Sequence, residues 1–220
     1  MIKRTLISVY DKSGLEKLAG YLKQIGVEIV SSGGTYDFLN RLRLSATKVS
    51  EITRSPEILG GRVKTLHPAI HAGILAREDQ LVELSGHGLS AFDLVVVNLY
   101  PFQEVVDSGA PLDEALENID IGGPAMIRAA AKNFPRVTAI CSPDDYDPLL
   151  KELQSNSGET TLDFRRTMAQ KAFSTISGYD QAISAYLVGK EQSFGDTITL
   201  KLDKAFRLRY GENPHQQAAL

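Results

Sequence analysis

Between Leu59 and Gly73 the chain gathers Arg62, Lys64, Thr65, His67 and His71 into a stretch that opens on paired glycines and carries Pro68. The chemistry these residue types suggest is anion binding. Adjacent glycines let a ligand come close to the backbone. Arg62 offers a planar fork of donors, Lys64 a mobile point charge and Thr65 a hydroxyl. A solvated basic loop that caps its neighbours is the alternative, and the residue types alone leave the two open. With two glycines at its start and Pro68 inside it, the stretch reads as neither helix nor strand.

Two further groups could act with it. Ser32, Gly33, Gly34 and Thr35 could hold a phosphate through backbone N–H groups and hydroxyls at a helix start, or form a plain tight turn. The group is neither a Walker loop nor Gly-x-Gly-x-x-Gly, which removes the usual grounds for ATP or a dinucleotide. With Lys12 and Lys64 added, a phosphate monoester is the better fit. Asp120 precedes Ile121, Gly122 and Gly123 at a helix start. Asp120 could accept a proton while the Ile121 and Gly122 amides face a developing oxyanion; a turn or cap residue is the alternative. Lys132 ends the same helix. Eight helical residues span ~12 Å, so spacing does not bring it to Asp120, and it reads most simply as a cation near a helix C-terminus. His67 and His71 are four apart, but Pro68 between them and the lack of a cysteine set argue against a metal. Gly-x-Ser-x-Gly is absent, which argues against a serine hydrolase.

The elements that must position these groups alternate. Thr5 to Tyr10 reads as a strand, followed by a helix with Leu15, Leu18, Leu22 and Ile25 on one stripe, stopped by Gly26. Val27 to Ser31 is a second strand. Thr35 then caps a helix carrying Phe38, Leu39 and Leu42, and Ser45 to Val49 is a weaker strand. Leu94 to Leu99 is almost wholly apolar, as a central parallel strand buried on both faces requires. Pro124 fits the first position of a helix through Ala131. Val137 to Cys141 is another strand, Ser142 caps a helix towards Leu153, and Thr161 to Val188 reads as one long helix. Such alternation implies an α/β fold, a three-layer parallel sheet with helices on both faces. Ligands then bind beyond the carboxyl ends of the strands. There fall Ser8 to Lys12, Ser32 to Thr35, Asn98 to Tyr100, and Asp120 to Gly123.

Composition narrows the partners. Of 220 residues, 27 are acidic and 24 basic, for a net charge of −3. That balance exerts no global pull on nucleic acid or anionic lipid, so any anion site is a local cluster. The single cysteine, Cys141, excludes an internal disulfide and points to a reducing compartment; its apolar run reads as a buried structural thiol. The first residues turn polar too soon for a signal peptide, and no run reaches the ~18 apolar residues of a membrane span. The expected location is the cytoplasm.

Six blocks together resemble a known family: Ser8 to Gly14, Ser32 to Thr35, Leu59 to Pro68, Asn98 to Phe102, Ile119 to Gly123, and Arg128 to Asn133. The chain is similar over essentially its whole length to the N-terminal IMP cyclohydrolase domain of the bifunctional AICAR transformylase/IMP cyclohydrolases. The resemblance implies a methylglyoxal-synthase-like fold over 1–199, with 200–220 a linker and the opening of a transformylase domain; Arg209 to Gln216 matches that opening. It implies a multifunctional enzyme of purine biosynthesis, part transferase and part cyclic amidine hydrolase. The expected reaction here is dehydrative closure of 5-formamidoimidazole-4-carboxamide ribotide (FAICAR) to inosine monophosphate. By the same resemblance Ser8, Lys12, Ser32, Gly34, Thr35, Arg62, Lys64 and Thr65 hold the nucleotide, with Asn98 in the site. Asp120 acts as base on the carboxamide and Lys132 serves the formyl oxygen. Tyr100, Lys64 and the Ile121 and Gly122 amides hold the reacting groups. No metal or redox cofactor is implied. 10-Formyltetrahydrofolate belongs to the transformylase domain, so formyl transfer is not expected of these 220 residues. A homodimer acting on purine ribotides is implied, without nucleic acid or membrane. Competing readings are a nucleotide-binding regulatory module of the same fold, as in carbamoyl phosphate synthetase, and a methylglyoxal synthase.

Overall fold

The computed structural model describes residues 1–188 together with Phe206, Leu208, Arg209 and Asn213. The chain divides into two compact units, Met1–Ser184 and Ala185–Leu220. Of the second, the described part is the last helical residues, 185–188, and those four. The expected boundary at 199/200 lies outside the described residues.

The apolar runs become five short strands: β1 (Arg4–Ser8), β2 (Glu28–Ser31), β3 (Thr47–Lys48), β4 (Leu94–Val97) and β5 (Thr138–Ile140). All pair in parallel, in the order β3-β2-β1-β4-β5. Between and after them lie α1 (Leu15–Gln24), α2 (Gly33–Arg41), α3 (Val49–Thr53), α4 (Pro68–Leu75), α5 (Leu81–Gly86), α6 (Phe102–Asp107), α7 (Leu112–Glu117), α8 (Gly122–Lys132), α9 (Tyr146–Ser155) and α10 (Leu162–Val188).

Because side chains alternate along a strand, register sorts the core into two layers. Val30, Leu6, Val95 and Ala139 are neighbours across four strands and face one side. They pack with Ile70 and Ile74 of α4, Ile127 and Ala130 of α8, and Ala172 and Ile176 of α10. Ile7, Val96 and Ile140 face the other side with Ile29, under Leu15, Leu18 and Leu22 of α1, Leu39 of α2 and Leu149 and Leu153 of α9. Burying one such side chain stabilises by ~1.5–3 kcal/mol. The chain thus forms the expected three-layer α/β fold with a parallel sheet.

Three local readings are corrected. The stretch after Leu66 is helical: Pro68 takes the first position of α4, where its fixed φ suits a helix and no N–H is needed. His67 caps that helix, its Nδ1 accepting from Ala69 N at 3.1 Å. Thr35 is not a cap. Helix α2 starts at Gly33 behind Ser32, and the Thr35 hydroxyl is used by Val9, donating to its O at 2.9 Å and accepting from its N at 3.0 Å. Pro124 is the third residue of α8, still within the first turn, where a missing N–H costs nothing.

Candidate active site

The parallel sheet opens β1, β2 and β4 on one side, at their carboxyl ends. A cavity of about 810 Å³ lies there, a size usual for a small-molecule site. The loop after β1 brings Ser8 and Lys12; the β2–α2 turn brings Ser32, Gly34 and Thr35. The segment from Leu59 to Leu66 brings Arg62, Lys64 and Thr65, and the chain after β4 brings Asn98 and Tyr100. The approach to α8 brings Asp120, Ile121 and Gly122.

These residues fall into those that shape the cavity and those left with capacity for a ligand. Asn98 shapes it. Its Oδ1 accepts from Tyr10 N at 2.6 Å and Asp11 N at 3.1 Å, and its Nδ2 donates to Asp11 O at 2.8 Å, so it clamps the loop that carries Lys12. Thr35 does the same one strand over, through Val9. Lys12 Nζ rests on Tyr10 O at 3.0 Å, an exposed contact that a phosphate can replace. Ser32 is buried at the N-terminus of α2, and its Oγ has no hydrogen-bond partner. The first N–H groups of a helix have no intrahelical acceptor, and the helix dipole favours negative charge there. The unused Ser32 hydroxyl, the amides of the first turn, of which Gly33 N–H donates to Glu57 at 3.3 Å, and Lys64 together could hold an anion.

Lys64 reaches into the same corner. A Cβ built on Gly33, whose φ is +51°, would sit 3.5 Å from Lys64 Nζ. Arg62 is held by an exposed bidentate pair with Glu117, its Nε donating at 3.3 Å and its Nη2 to the other oxygen. Both line the cavity, so an incoming anion competes with Glu117 for Arg62.

Asp120 occupies the other end. Burial raises its pKa above the ordinary carboxylate value; the Gly123 N–H, the Lys64 charge and the Tyr100 backbone offset part of that rise. Its Oδ1 accepts from Gly123 N at 2.8 Å. Space is short at Gly122 and Gly123, two and three positions further on. A Cβ on Gly123 would lie 2.4 Å from Asp120 Oδ2, and one on Gly122 would lie 2.8 Å from Thr65 Oγ1.

Lys132 is not brought to this group. It is exposed at the last position of α8, while Asp120 precedes the first. Ten helical steps at the standard rise separate them by ~15 Å. Its block serves another purpose: buried Asn133 donates to Ile74 O at 2.7 Å and Ala76 O at 2.9 Å, and Arg136 donates to Ala76 O at 2.8 Å and Gly73 O at 3.0 Å. Those contacts satisfy carbonyls at the C-terminal end of α4.

Sequence reasoning missed three contributors. Glu57 accepts from Gly33 N at 3.3 Å, and its charge beside a basic stretch was a usable signal. Glu117, which ends α7, pairs with Arg62 and was given no role by the sequence. Tyr179, inside α10, accepts from Asp120 N at 2.8 Å and carried no signal. Among the described residues no group of three or more His, Cys, Asp or Glu could hold a metal ion. No helix there is long and apolar enough to cross a membrane.

Comparison with known proteins adds three findings. The family profile of the MGS-like domain matches residues 14–125, and that of the AICARFT/IMPCHase bienzyme matches residues 130–220. The bifunctional purine biosynthesis protein PurH of Clostridium kluyveri is 49% identical over 222 residues, covering 100% of this chain and 44% of the relative. PurH of Persephonella marina is 47% identical over 226 residues, with the same two coverages. The chain therefore spans less than half the length of these relatives. A crystal structure of ForH superposes with a TM-score of 0.73 at 36% identity, covering 86% of this chain and 100% of that one.

Proposed function

The chain belongs to the MGS-like family, in the branch formed by the N-terminal part of the bifunctional purine biosynthesis protein PurH, and from that premise we propose that it is an IMP cyclohydrolase. Its substrate is FAICAR and its product inosine monophosphate. The carboxamide nitrogen bonds to the formyl carbon and gives up one proton. The formyl oxygen leaves as water, taking one hydrogen from the carboxamide nitrogen and one from the formamide nitrogen.

One observation carries this reading: Asp120, a desolvated carboxylate pinned by Gly123 N–H, shares one cavity with Lys64 and with an anion cradle at the start of α2. An amide nitrogen is a poor nucleophile, so attack needs a base already in place. Asp120 serves as that base, and its raised pKa moves it towards the working pH. Lys64, with the Ile121 and Gly122 amides, stabilises the charge that develops on the formyl oxygen. Tyr100, braced edge-on by Tyr10 with ring centroids 5.7 Å apart, orients the carboxamide. Ser32, Lys12, Arg62 and Thr65 hold the phosphate end. The position of Lys132 leaves it outside this scheme. The same reading makes the protein a cytoplasmic homodimer that needs no metal or redox cofactor for this step.

The test is to add FAICAR to the chain and follow inosine monophosphate. Turnover in the parent that is abolished in Asp120→Ala, with nucleotide affinity kept within about tenfold (~1.4 kcal/mol), is the expected result. Tight inosine monophosphate binding without turnover in the parent would favour the regulatory-module reading instead.

A further inference from the structure

Asp120 is the base in the reading above, and the backbone hydrogen bonds of α7 stop one residue short of it, at Ile119 N–H on Leu116 O, 3.1 Å. It sits between the end of α7 and the start of α8. Its main-chain N–H donates at 2.8 Å to the hydroxyl of Tyr179, a residue that does not line the cavity. That hydroxyl donates in turn to Asn118 O at 3.0 Å. One oxygen thus closes a turn two residues wide, acting as acceptor for one end and donor for the other. The tyrosine comes from α10, 59 residues further on. It is itself braced by Phe102 of α6, ring centroids 6.2 Å apart and edge-on. Burial raises the Tyr179 pKa, so the phenol keeps the proton it donates at neutral pH.

We infer that Tyr179 is a positioning residue for the reaction: its hydroxyl, working from behind the cavity wall, sets the direction in which the Asp120 carboxylate enters the cavity. This rests on the assignment of Asp120 as base. Carboxylate placement is then determined by the Asp120 N–H on Tyr179, by Oδ1 on the Gly123 N–H and by the Tyr100 backbone N–H, and of these only the Tyr179 contact holds the main chain. Catalytic groups must be held to within about 0.5 Å of the productive geometry, and a drift of that order costs roughly tenfold where 1 Å costs ~10².

Tyr179→Phe deletes one oxygen and keeps the ring against Phe102. The expected result with FAICAR is a kcat about tenfold below the parent. KM and inosine monophosphate affinity should stay within about twofold, and the thermal midpoint within a few degrees. Amide hydrogen exchange at Asp120 should accelerate by at least about tenfold, a readout independent of turnover. Parental kcat with parental exchange would overturn the inference. So would equal losses in kcat, affinity and thermal midpoint, which describe a fold defect rather than positioning. Asp120→Ala, measured beside it, separates the two levels. If that variant retains parental turnover, the base assignment itself fails; if it is inactive while Tyr179→Phe turns over normally, the positioning role alone fails.

Discussion

Replacing Gly123 by alanine tests whether the place of the Asp120 carboxylate matters. Gly123 is the second residue of α8 and does not have a positive φ, so alanine fits the backbone. In a helix that change ordinarily stabilises by up to ~1 kcal/mol. Here the new Cβ would lie 2.4 Å from Asp120 Oδ2, 2.9 Å from its Cγ and 3.0 Å from Leu99 Cδ2. The first distance is roughly 1 Å short of the 3.4 Å at which ordinary contact begins. Leu99 hems the methyl in from the other side, so the carboxylate must move, and its 2.8 Å bond to the Gly123 N–H must stretch. A displacement near 1 Å costs on the order of 10² in rate, or ~2.7 kcal/mol of barrier. Steady-state cyclisation of FAICAR should therefore show kcat down about a hundredfold. Inosine monophosphate affinity should hold within about threefold, and the thermal midpoint should lie within a few degrees of the parent. Parental kcat in a folded Gly123→Ala protein would refute the reasoning, since the carboxylate would then have moved without consequence.

Three other outcomes follow from the same geometry. Ser32→Ala removes a buried hydroxyl that has no hydrogen-bond partner. Calorimetry should find it neutral or stabilising without ligand, while inosine monophosphate titration should show a loss of ~1.5–3 kcal/mol, the worth of a hydrogen bond to a charged group. Asp120→Asn keeps the acceptor for Gly123 N–H but removes the charge. Because folding raises the Asp120 pKa above 3.8, its contribution to stability is fully present below 3.8 and is lost as pH rises through the folded value. The Asn variant should therefore melt above the parent at pH 7, with the gap closing towards pH 3.8; a lower midpoint at pH 7 would mean that Lys64 outweighs burial. Lys132→Ala should leave inosine monophosphate affinity within about twofold whatever happens to turnover. A tenfold weaker titration would put that lysine at the cavity.

Much of this arrangement was legible in residue types. Alternation of apolar runs and helical stripes gave a parallel sheet, and a parallel sheet told where to look for a site: the cavity lies at the carboxyl ends of its strands. Glycine pairs at 33–34 and 122–123 marked both helix starts that face the cavity. What escaped was set by distant contacts. A proline inside a basic stretch reads as a break, but at Pro68 it starts a helix whose far end depends on Asn133 and Arg136. Thr35 has the right chemistry for a cap or a phosphate, yet its hydroxyl is taken by Val9, which lies 26 positions earlier. Lys132 is the converse: the helix rise, countable in the sequence, already set it apart from Asp120, and its exposed place at the last position of α8 agrees with that spacing. Tyr179 has no local signal because its partner is chosen by how α10 crosses the core.

The sheet order has a consequence for how the protein is made. β1 leaves the ribosome first and ends in the middle, between β2 and β4. Its Thr5 pairs with Ile29 on one side but must wait for Leu94 on the other. Until then one edge of an apolar strand is open, and an open edge is a template for pairing with other chains. Parallel pairings this far apart in sequence also form slowly. The interval between the synthesis of β1 and that of β4 is thus the time for which this edge stays uncovered. Losing β1 would cut the sheet into two-stranded halves, β3-β2 and β4-β5, with the central pairing of both gone.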